Sequence, residues 1–324
     1  MSRYIIRRIL WFIPVLFGIT LVTFVLARAL PGGPFDFAGD RTIPPSIVAN
    51  LERKYHLDWP LWKQYGKWVL DMFQGDLGPS FHYRSLYVQD ILKQTFPVSF
   101  QLGMLSMALA LVIGIPLGTI AALNHNTPID YGSSFLAILG VSIPNVVLAP
   151  FLIFFFGLKL GWFPVARWGA DYTEFIFGIL PPLTADFWTH AALPTIALGT
   201  GLSASIARLT RASLLQVTRE DYIRTARAKG LRERVVIAIH AMKNALIPVV
   251  TILGPLFAAI VTGTFVIEQI FGISGMGQHF VDSVNNRDYP IVMGVTMLYS
   301  VLLVIANLVV DITYAWLDPR IRYD

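Results

Sequence analysis

The sequence contains no cysteine and carries little charge. The absence of cysteine excludes disulfides, thiolate nucleophiles and cysteine-ligated metal sites. Only 14% of the 324 residues are charged, whereas 55% are hydrophobic and the mean hydropathy is +0.61. A single water-soluble core cannot hide so much apolar surface, because such cores stop growing at ~250–300 residues. The composition excludes a soluble enzyme and a disordered chain, and it indicates a membrane protein.

Motifs of nucleotide, metal and hydrolytic chemistry are also missing. The Gly66-Lys67 pair does not stand in a phosphate-binding loop, and the glycines of 272–277 lack dinucleotide-binding spacing. The six histidines are scattered, and the basic residues form no single patch of the kind that binds nucleic acid. We therefore expect a chain with no catalytic residues, no metal site and no cofactor of its own.

Six long runs lack Asp, Glu, Lys and Arg. A helix needs about 20 apolar residues to cross the hydrocarbon core, and unpaired backbone groups are costly there, which favours helices. The sequence therefore predicts an all-α polytopic membrane protein with six transmembrane helices. The prolines within the runs, and the Gly114-x-x-x-Gly118 pair, indicate either kinked, closely packed helices around a pathway or ordinary packing positions, and we favour the second interpretation. The runs are Ile9–Ala27, Gln94–Ile129, Tyr131–Leu158, Phe187–Ala207, Asn244–Ile267 and Tyr289–Val310.

The distribution of Lys and Arg predicts the orientation. The N-terminal tail has three arginines and no acid, and segment 208–243 has nine basic residues against three acids. Because such residues concentrate in cytoplasmic segments, we expect both termini and segment 208–243 to be cytoplasmic. Ala27-Arg28-Ala29 imitates a signal-peptide cleavage site. The preceding apolar run of 19 residues is longer than the usual ~7–15, so we expect the first helix to be retained.

These spans divide the chain into four parts. Residues 1–29 form a cytoplasmic tail and the first helix, and residues 30–93 form a helical extracytoplasmic insertion. Residues 94–311 form a five-helix core with a cytoplasmic loop at 208–243, and 312–324 form a second cytoplasmic tail. The core spans are expected at about 98–122, 133–157, 188–207, 245–267 and 290–310.

The insertion is rich in aromatic residues at helical spacing. Trp59, Trp62 and Trp68 stand near Leu61 and Tyr65, which predicts amphipathic helices, some of them on the membrane surface. Two interpretations remain open for this element. It is either a structural cap over the bundle or a docking surface for a soluble partner.

Segment 208–243 mixes apolar and basic residues. Helix-forming residues stand on both sides of Gly230, which is well placed as the left-handed residue that ends a helix. We predict two helices at an angle that project into the cytoplasm and dock a partner. The apolar positions that favour docking over a merely solvated charged face are Leu214, Leu215, Val217, Tyr222 and Ile223.

The absence of charged residues from the spans indicates how transport would be driven. Ion-coupled carriers place ionisable groups inside the membrane, and the nearest such residue here is Glu268, which we expect at the membrane interface. A carrier driven by its own ion site is therefore disfavoured. If the protein moves a solute uphill, we expect the energy to come from a partner.

Several stretches carry a family resemblance. They are Arg7-Arg8, Ala29-Leu30-Pro31-Gly32-Gly33-Pro34-Phe35, Lys54-Tyr55-His56-Leu57, Gly75-Asp76-Leu77-Gly78-Pro79-Ser80, Arg224-Thr225-Ala226-Arg227-Ala228-Lys229-Gly230, Asn285-Asn286-Arg287-Asp288-Tyr289 and Leu317-Asp318-Pro319-Arg320. Through them the chain resembles, along essentially its whole length, the permease subunits of bacterial peptide ABC importers. The second and third stretches favour the oligopeptide branch over the dipeptide branch.

The resemblance implies a type I ABC importer permease fold in the bacterial plasma (inner) membrane. It also implies partners: a second homologous permease, two ABC ATPase subunits that hold ATP and Mg, an extracytoplasmic peptide-binding protein, the peptide substrate and membrane lipid. No nucleic acid is implied. This chain would be a transport subunit that binds no cofactor and performs no hydrolysis itself.

In such importers a short coupling helix before the fifth span docks on the ATPase. The coupling residues implied here are Tyr222, Arg224, Thr225, Ala226, Arg227, Ala228, Lys229 and Gly230. Only Ala226 and Gly230 match the broad Glu-Ala-Ala…Gly motif of the superfamily. The alternatives are a permease for dipeptides or other small solutes, a peptide exporter, and an ion-coupled carrier or channel.

Overall fold

The computed structural model describes residues 2–29, 35, 45–83 and 85–317. Within these residues every regular element is helical, and the β pairing consists of two isolated bridges, Pro79–Tyr87 and Ile176–Leu180. The predicted all-α class is confirmed for this part of the chain. Residues 30–34 of the second family stretch and the tail from residue 318 lie outside the described residues.

The longer helices form the bundle, and shorter ones lie at its two ends. In chain order, the α-helices of both kinds are α1 (Ser2–Ala29), α2 (Pro45–Lys54), α3 (Leu61–Phe73), α4 (Val88–Leu123), α5 (Pro128–Ser142), α6 (Asn145–Leu152, continued as a π-helix over Ile153–Lys159), α7 (Ala185–Val217), α8 (Asp221–Ala228), α9 (Glu233–Val235, continued as a π-helix over Val236–Ala241), α10 (Met242–Ala245), α11 (Ile247–Val261), α12 (Phe265–Phe271), α13 (Met276–Asn285) and α14 (Tyr289–Leu317).

Within the described part of the chain, three helices are long and apolar enough to cross a membrane, namely Leu10–Ala29, Val88–Leu123 and Tyr289–Tyr314. Two bent pairs bring the number to five: α5 with α6 and its π-helix, at 98°, and α9–α10 with α11, at 47°. The fourth predicted run lies in α7, which has 33 residues but is not among these candidates. The count of six spans stays a prediction.

Two prolines mark the bends. Ile143 is extended at φ −85° and ψ 112°, and α6 begins directly after Pro144. Pro248 stands in the first turn of α11. Proline disfavours helical backbone at the preceding residue, which accounts for the extended Ile143. At the second bend Ile247 is helical, and the interruption at Leu246 follows because Pro248 has no N–H to donate to the carbonyl four residues earlier. The interpretation of these two prolines as ordinary packing positions is wrong.

The glycine pair of α4 allows close packing against α7. A Cβ atom at Gly114 would lie 2.7 Å from the carbonyl oxygen of Ser203, and one at Gly118 would lie 2.3 Å from that of Ala207. Only glycine permits this approach, so the packing role predicted for the pair is confirmed.

Helices α1 and α14 run antiparallel, side by side. An Arg8 nitrogen lies 2.9 Å from an Asp311 oxygen near one end of the pair, and Phe24 packs near Met293 at the other. The Arg8–Asp311 end is also the end at which α4, α7 and α8 meet, through Ala122 and other buried residues. We call this the α8 end of the bundle and the opposite one the far end. The start of α1, the end of α14 and segment 208–243 thus share one end.

The insertion is fastened to the far end. Ser80 donates a hydrogen bond from its hydroxyl to Asp288, and the N–H of His82 donates to the same carboxylate at 3.1 Å. Two of the family stretches are joined in this way. Tyr65 of α3 also packs against Phe24 of α1. These contacts are those of a cap, while docking of a soluble partner stays a prediction.

Candidate functional site

Helix α8 contains most of the predicted coupling residues. Asp221 lies in its first turn and Arg227 in its last turn, so each charge complements the helix dipole at its own end. The N–H of Gly230 donates to the carbonyl of Arg227 at 2.9 Å, and that of Leu231 to Ala226 at 3.4 Å. With Gly230 at φ +76°, these bonds form a Schellman motif. The left-handed turn predicted at Gly230 is confirmed.

Helix α8 has one buried and one exposed side. Ile223 is fully buried and Ala226 is 7% exposed. Both pack with Leu214 of α7 and Val236 of the following π-helix. The other predicted coupling residues are exposed: Tyr222, Arg224, Thr225, Arg227, Ala228, Lys229 and Gly230. They form a surface, hereafter the α8 face, that the chain's own core supports.

The apolar residues among the arginines mostly stabilise this chain. Leu214 and Ile223 are fully buried inside it, and Leu215 and Val217 are partly buried. Tyr222, at 40% exposure, is the accessible one of the five. The interpretation of these residues as partner contacts is therefore wrong for Leu214 and Ile223, because the sequence pattern of an amphipathic helix does not say which body covers its apolar side.

Polar contacts fix the side chains of the α8 face. Arg227 binds Glu233 through two hydrogen bonds of 2.7 and 3.1 Å, and the Asn244 amide donates to the Tyr222 hydroxyl at 2.7 Å. The bond with Arg227 lowers the pKa of Glu233, and the carboxylate raises the pKa of Arg227. Both groups are about half exposed, so the pair contributes little stability. Its effect is to hold Arg227 in place.

A buried carboxylate connects the α4–α5 turn to α7, close to α8. Asp130 is 1% exposed and receives bonds of 2.6 and 2.7 Å from Arg211, and one of 3.0 Å from the N–H of Asn126. His125 lies 3.3 Å from the same carboxylate. Arg211 stands one helical turn before Leu214, so this cluster holds the part of α7 on which α8 rests.

Segment 208–243 is more divided than predicted. Helix α7 ends at Val217, three residues separate it from α8, and a π-helix follows α9. The prediction of helices on both sides of Gly230 is confirmed, but the stretch before Gly230 consists of two helices. A π-helix leaves a longer hydrogen-bonded turn and is often found at functional sites. We find no sequence signal for it.

At the far end, Glu268 is buried inside the protein. It is fully buried and accepts bonds from the Ser99 hydroxyl at 2.8 Å and the N–H of Gln278 at 3.0 Å. Ser99 in turn accepts the N–H of Met276 at 2.8 Å. The carboxylate thus joins α4 and α12 to the first turn of α13. The residue's contacts are those of a structural anchor, and its placement at the membrane interface stays a prediction.

A cavity of about 1070 Å³ opens at the far end. Its walls come from the starts of α4 and α7, from the loop after α6 and from the segment around α13. Residues of both charge signs and two histidines line it, among them Gln94, Arg167, Asp171, Asp186, His190 and His279. The size is at the upper limit of typical ligand pockets, about 300–1,000 Å³.

Residues 114–323 match the family described as binding-protein-dependent transport system inner membrane component, and residues 1–103 match the N-terminal component of the same system. The chain belongs to this family. Among solved structures, this permease shares its fold with an inward-facing methionine ABC transporter, MetNI, at a TM-score of 0.52 and 16% identity, over 69% of this chain and 96% of that one.

The permease has relatives of nearly equal length in both peptide branches. It is 46% identical to the dipeptide transport system permease DppB of Bacillus subtilis, over 99% of this chain and 98% of the relative. It is 43% identical to the oligopeptide transport system permease OppB of Escherichia coli and 42% identical to that of Haemophilus influenzae, over the whole length of each pair. The resemblance to peptide ABC permeases is confirmed.

Sequence reasoning did not find the residues that hold the site together. Asp130, Arg211, Asp288 and the anchoring role of Glu268 depend on partners 81 or more residues away in the chain. Asp130 and Glu268 stand just outside the uncharged runs, and an acid in such a position could have been recognised as a candidate for a buried, paired carboxylate. The partner of each acid could not be predicted, because no neighbouring residue in the sequence specifies it.

Proposed function

We propose that this permease is the transmembrane pathway subunit of an ATP-driven importer of oligopeptides. It would receive peptide from an extracytoplasmic binding protein and be coupled to separate ATPase subunits. The observation that carries the proposal is the α8 face, which has a basic, exposed surface on a buried core. A helix that only filled space would not need an ordered, outward-facing row of polar side chains.

The α8 end is proposed to be cytoplasmic, with both termini on that side. Segment 208–243 carries nine basic residues there, in agreement with the rule that Lys and Arg concentrate in cytoplasmic loops. The full assembly would contain a second homologous permease and two ATPases, which hold ATP and Mg. This chain supplies the docking face and half of the pathway, and it binds no cofactor in this proposal.

The far-end cavity is the proposed place where peptide enters. Its lining carries acidic and basic groups, which suits a substrate with a charged group at each end. The burial of Glu268 supports the ABC mechanism over an ion-coupled carrier, because its carboxylate already accepts the Ser99 hydroxyl and the N–H of Gln278 within the chain. A dipeptide permease is the second candidate, favoured by the 46% identity to DppB.

Co-purification of the full-length chain in mild detergent tests the coupling. Wild-type protein should co-elute with a second permease and ATPase subunits. Gly230→Val forces a β-branched residue into the left-handed region and should reduce the co-eluting ATPase about tenfold, since the backbone cost is ~1–2 kcal/mol. Gly161→Val is the matched control, because Gly161 has φ +63° and equally open surroundings but lies away from α8.

Two outcomes would contradict the proposal. If Gly230→Val and Gly161→Val retained ATPase equally, α8 would not be the docking element. If wild-type protein emerged without any ATPase across several gentle detergents, ATP coupling itself would be wrong and a channel or carrier would replace it.

A further inference from the structure

A second cavity, of about 310 Å³, lies at the far end between α1, α14 and the insertion. Arg28, Gln64, Trp68 and Tyr289 are among the residues that line it. Arg28 stands one residue before the end of the apolar span Leu10–Ala29. The cavity therefore lies at the boundary between the hydrocarbon core and the headgroup region.

The Arg28 guanidinium lies in the cavity against two aromatic rings. Its centre lies 4.3 Å above the Phe24 ring and 5.2 Å from the Tyr289 ring. Its Nη1 atom is buried and has no hydrogen-bond partner among the described residues. Aromatic faces attract a cation but do not replace an oxygen acceptor. A buried guanidinium nitrogen without an acceptor is costly, so the arrangement is that of an anion site.

Two more polar atoms in the cavity are buried and unpaired within the described part of the chain. They are Nε1 of Trp68, a donor, and Oε1 of Gln64, an acceptor. The Gln64 amide nitrogen is fixed by the carbonyls of Leu57 and Trp59, at 3.1 and 2.7 Å, which sets the orientation of its oxygen. The cavity thus offers two donors and one acceptor, which suits a phosphate that carries a hydroxylated group.

Helix α3 forms one wall and exposes large apolar side chains. Trp62, Leu70 and Phe73 are 76%, 65% and 78% exposed and stand on one side of the helix. Lys63 and Lys67 stand next to Leu70 around the helix, so basic groups border this apolar surface. An amphipathic helix with exposed Trp and Phe next to a membrane span is typical of an element that lies in the lipid interface. The lipid surface thus reaches the mouth of the cavity.

We propose that this cavity binds the headgroup of an anionic phospholipid of the phosphatidylglycerol class. Arg28 and Trp68 donate to the phosphate oxygens, and Gln64 accepts from a headgroup hydroxyl. The lining contains three basic side chains, Arg28, Lys54 and Lys67, against Asp71 and Asp76, so its charge is positive by one. A headgroup of net charge −1 neutralises it, whereas a zwitterionic headgroup does not.

Native mass spectrometry of the detergent-solubilised full-length chain tests this site. Phosphatidylglycerol or phosphatidylethanolamine is added in equal amount, and bound lipid is counted. Arg28→Gln should weaken phosphatidylglycerol binding about tenfold, since a hydrogen bond to a charged group is lost. Trp68→Phe removes only the indole donor and should weaken it about threefold. The matched control is Arg53→Gln, which removes an exposed charge of the insertion that does not line the cavity.

Several results would overturn the assignment. Equal binding of the two lipids would remove the requirement for an anion, and unchanged binding in both Arg28→Gln and Trp68→Phe would place the lipid elsewhere. Soluble glycerol phosphate that bound as well as the lipid would show a free-phosphate site. A short peptide that displaced the lipid would assign the cavity to substrate. None of these readouts depends on ATPase coupling, so the site stands or falls separately from the proposed function.

Discussion

Two glycines of this chain are required for different physical reasons. At Gly230 the requirement is conformational, because the backbone is left-handed and the surroundings are open. At Gly275 the requirement is space, because a Cβ atom there would lie 2.3 Å from the Glu268 carboxyl carbon. The first glycine shapes the α8 face, and the second lets the chain wrap around a buried carboxylate.

Gly275→Ala is expected to destabilise the far end. The added methyl group would overlap Glu268 and force apart the bonds that fix the start of α13, at a cost of about 1–3 kcal/mol. Thermal unfolding of the purified chain in detergent measures the change. Gly132→Ala is the control, because nothing lies within 4 Å of that position and alanine is the better helix former. An unchanged melting temperature in Gly275→Ala would contradict the described geometry.

The position of Glu268 also shows the limit of sequence reasoning for single residues. An acid at the end of an apolar run is expected at the membrane interface, but that rule does not say whether its side chain faces solvent or the protein interior, where Glu268 lies. The return of residues 272–277 around the carboxylate depends on the fold of α12 and α13 and has no local signature. Gly230 was predictable because its conformational requirement is local: helix formers precede it and follow it.

At the scale of elements, the buried side of α8 holds the helix on the chain's core, and its exposed side is the proposed contact with the ATPase. Ile223→Ala leaves a cavity in the buried cluster and should lower the free energy of unfolding by about 2–5 kcal/mol. Arg224→Ala, on the exposed side, should change stability by less than about 0.5 kcal/mol and weaken ATPase association. Melting temperature and ATPase pull-down, measured on both variants, check the two expectations.

The opposite assignment has a clear signature. If Arg224→Ala lowered the melting temperature and left ATPase association unchanged, the exposed side of α8 would be structural. If Ile223→Ala were neutral, the cluster around Leu214 would not support the helix.

The sequence predicted where most helices form, but it did not predict most of the places at which they are interrupted. Uncharged runs of about 20 residues predict membrane-spanning helices, and helices are observed at most of these places. The bend at Pro144 and the π-helices after α6 and α9 were not predicted. Pro144 is visible in the sequence but was interpreted as a packing position, although proline disfavours helical backbone at the residue before it. The π-helices have no local signal that we can identify.

At the scale of the whole molecule, the orientation can be tested directly because the chain has no cysteine. We expect Lys63→Cys, on the insertion, to react with an impermeant maleimide in intact cells. Arg219→Cys, between α7 and α8 and outside the α8 face, should react only after permeabilisation. Lys63 and Arg219 are both exposed, so access to the reagent decides the result, and the wild-type chain gives the blank. The reversed pattern would invert the proposed topology.

The sequence predicted the general architecture but not the pairing between the first and the last helix. Charge asymmetry placed the start of α1, the end of α14 and segment 208–243 on one side, and the structure groups all three at the α8 end. The count of six spans stays a prediction, since α7 is not among the candidate spans. The pairing of Arg8 with Asp311 was not visible, because neither residue's neighbours distinguish it from other charges.

The contact between α1 and α14 has a consequence for biosynthesis. Ribosomes add about 5–20 residues per second, and nearly the whole chain is made between these two helices. The first helix must therefore wait tens of seconds in the membrane before Asp311 and Met293, which it contacts in the finished chain, are made. A nascent chain arrested before Tyr289 lacks both contacts, and the side of α1 that α14 would cover is a feature that membrane quality-control proteases and insertion chaperones can recognise.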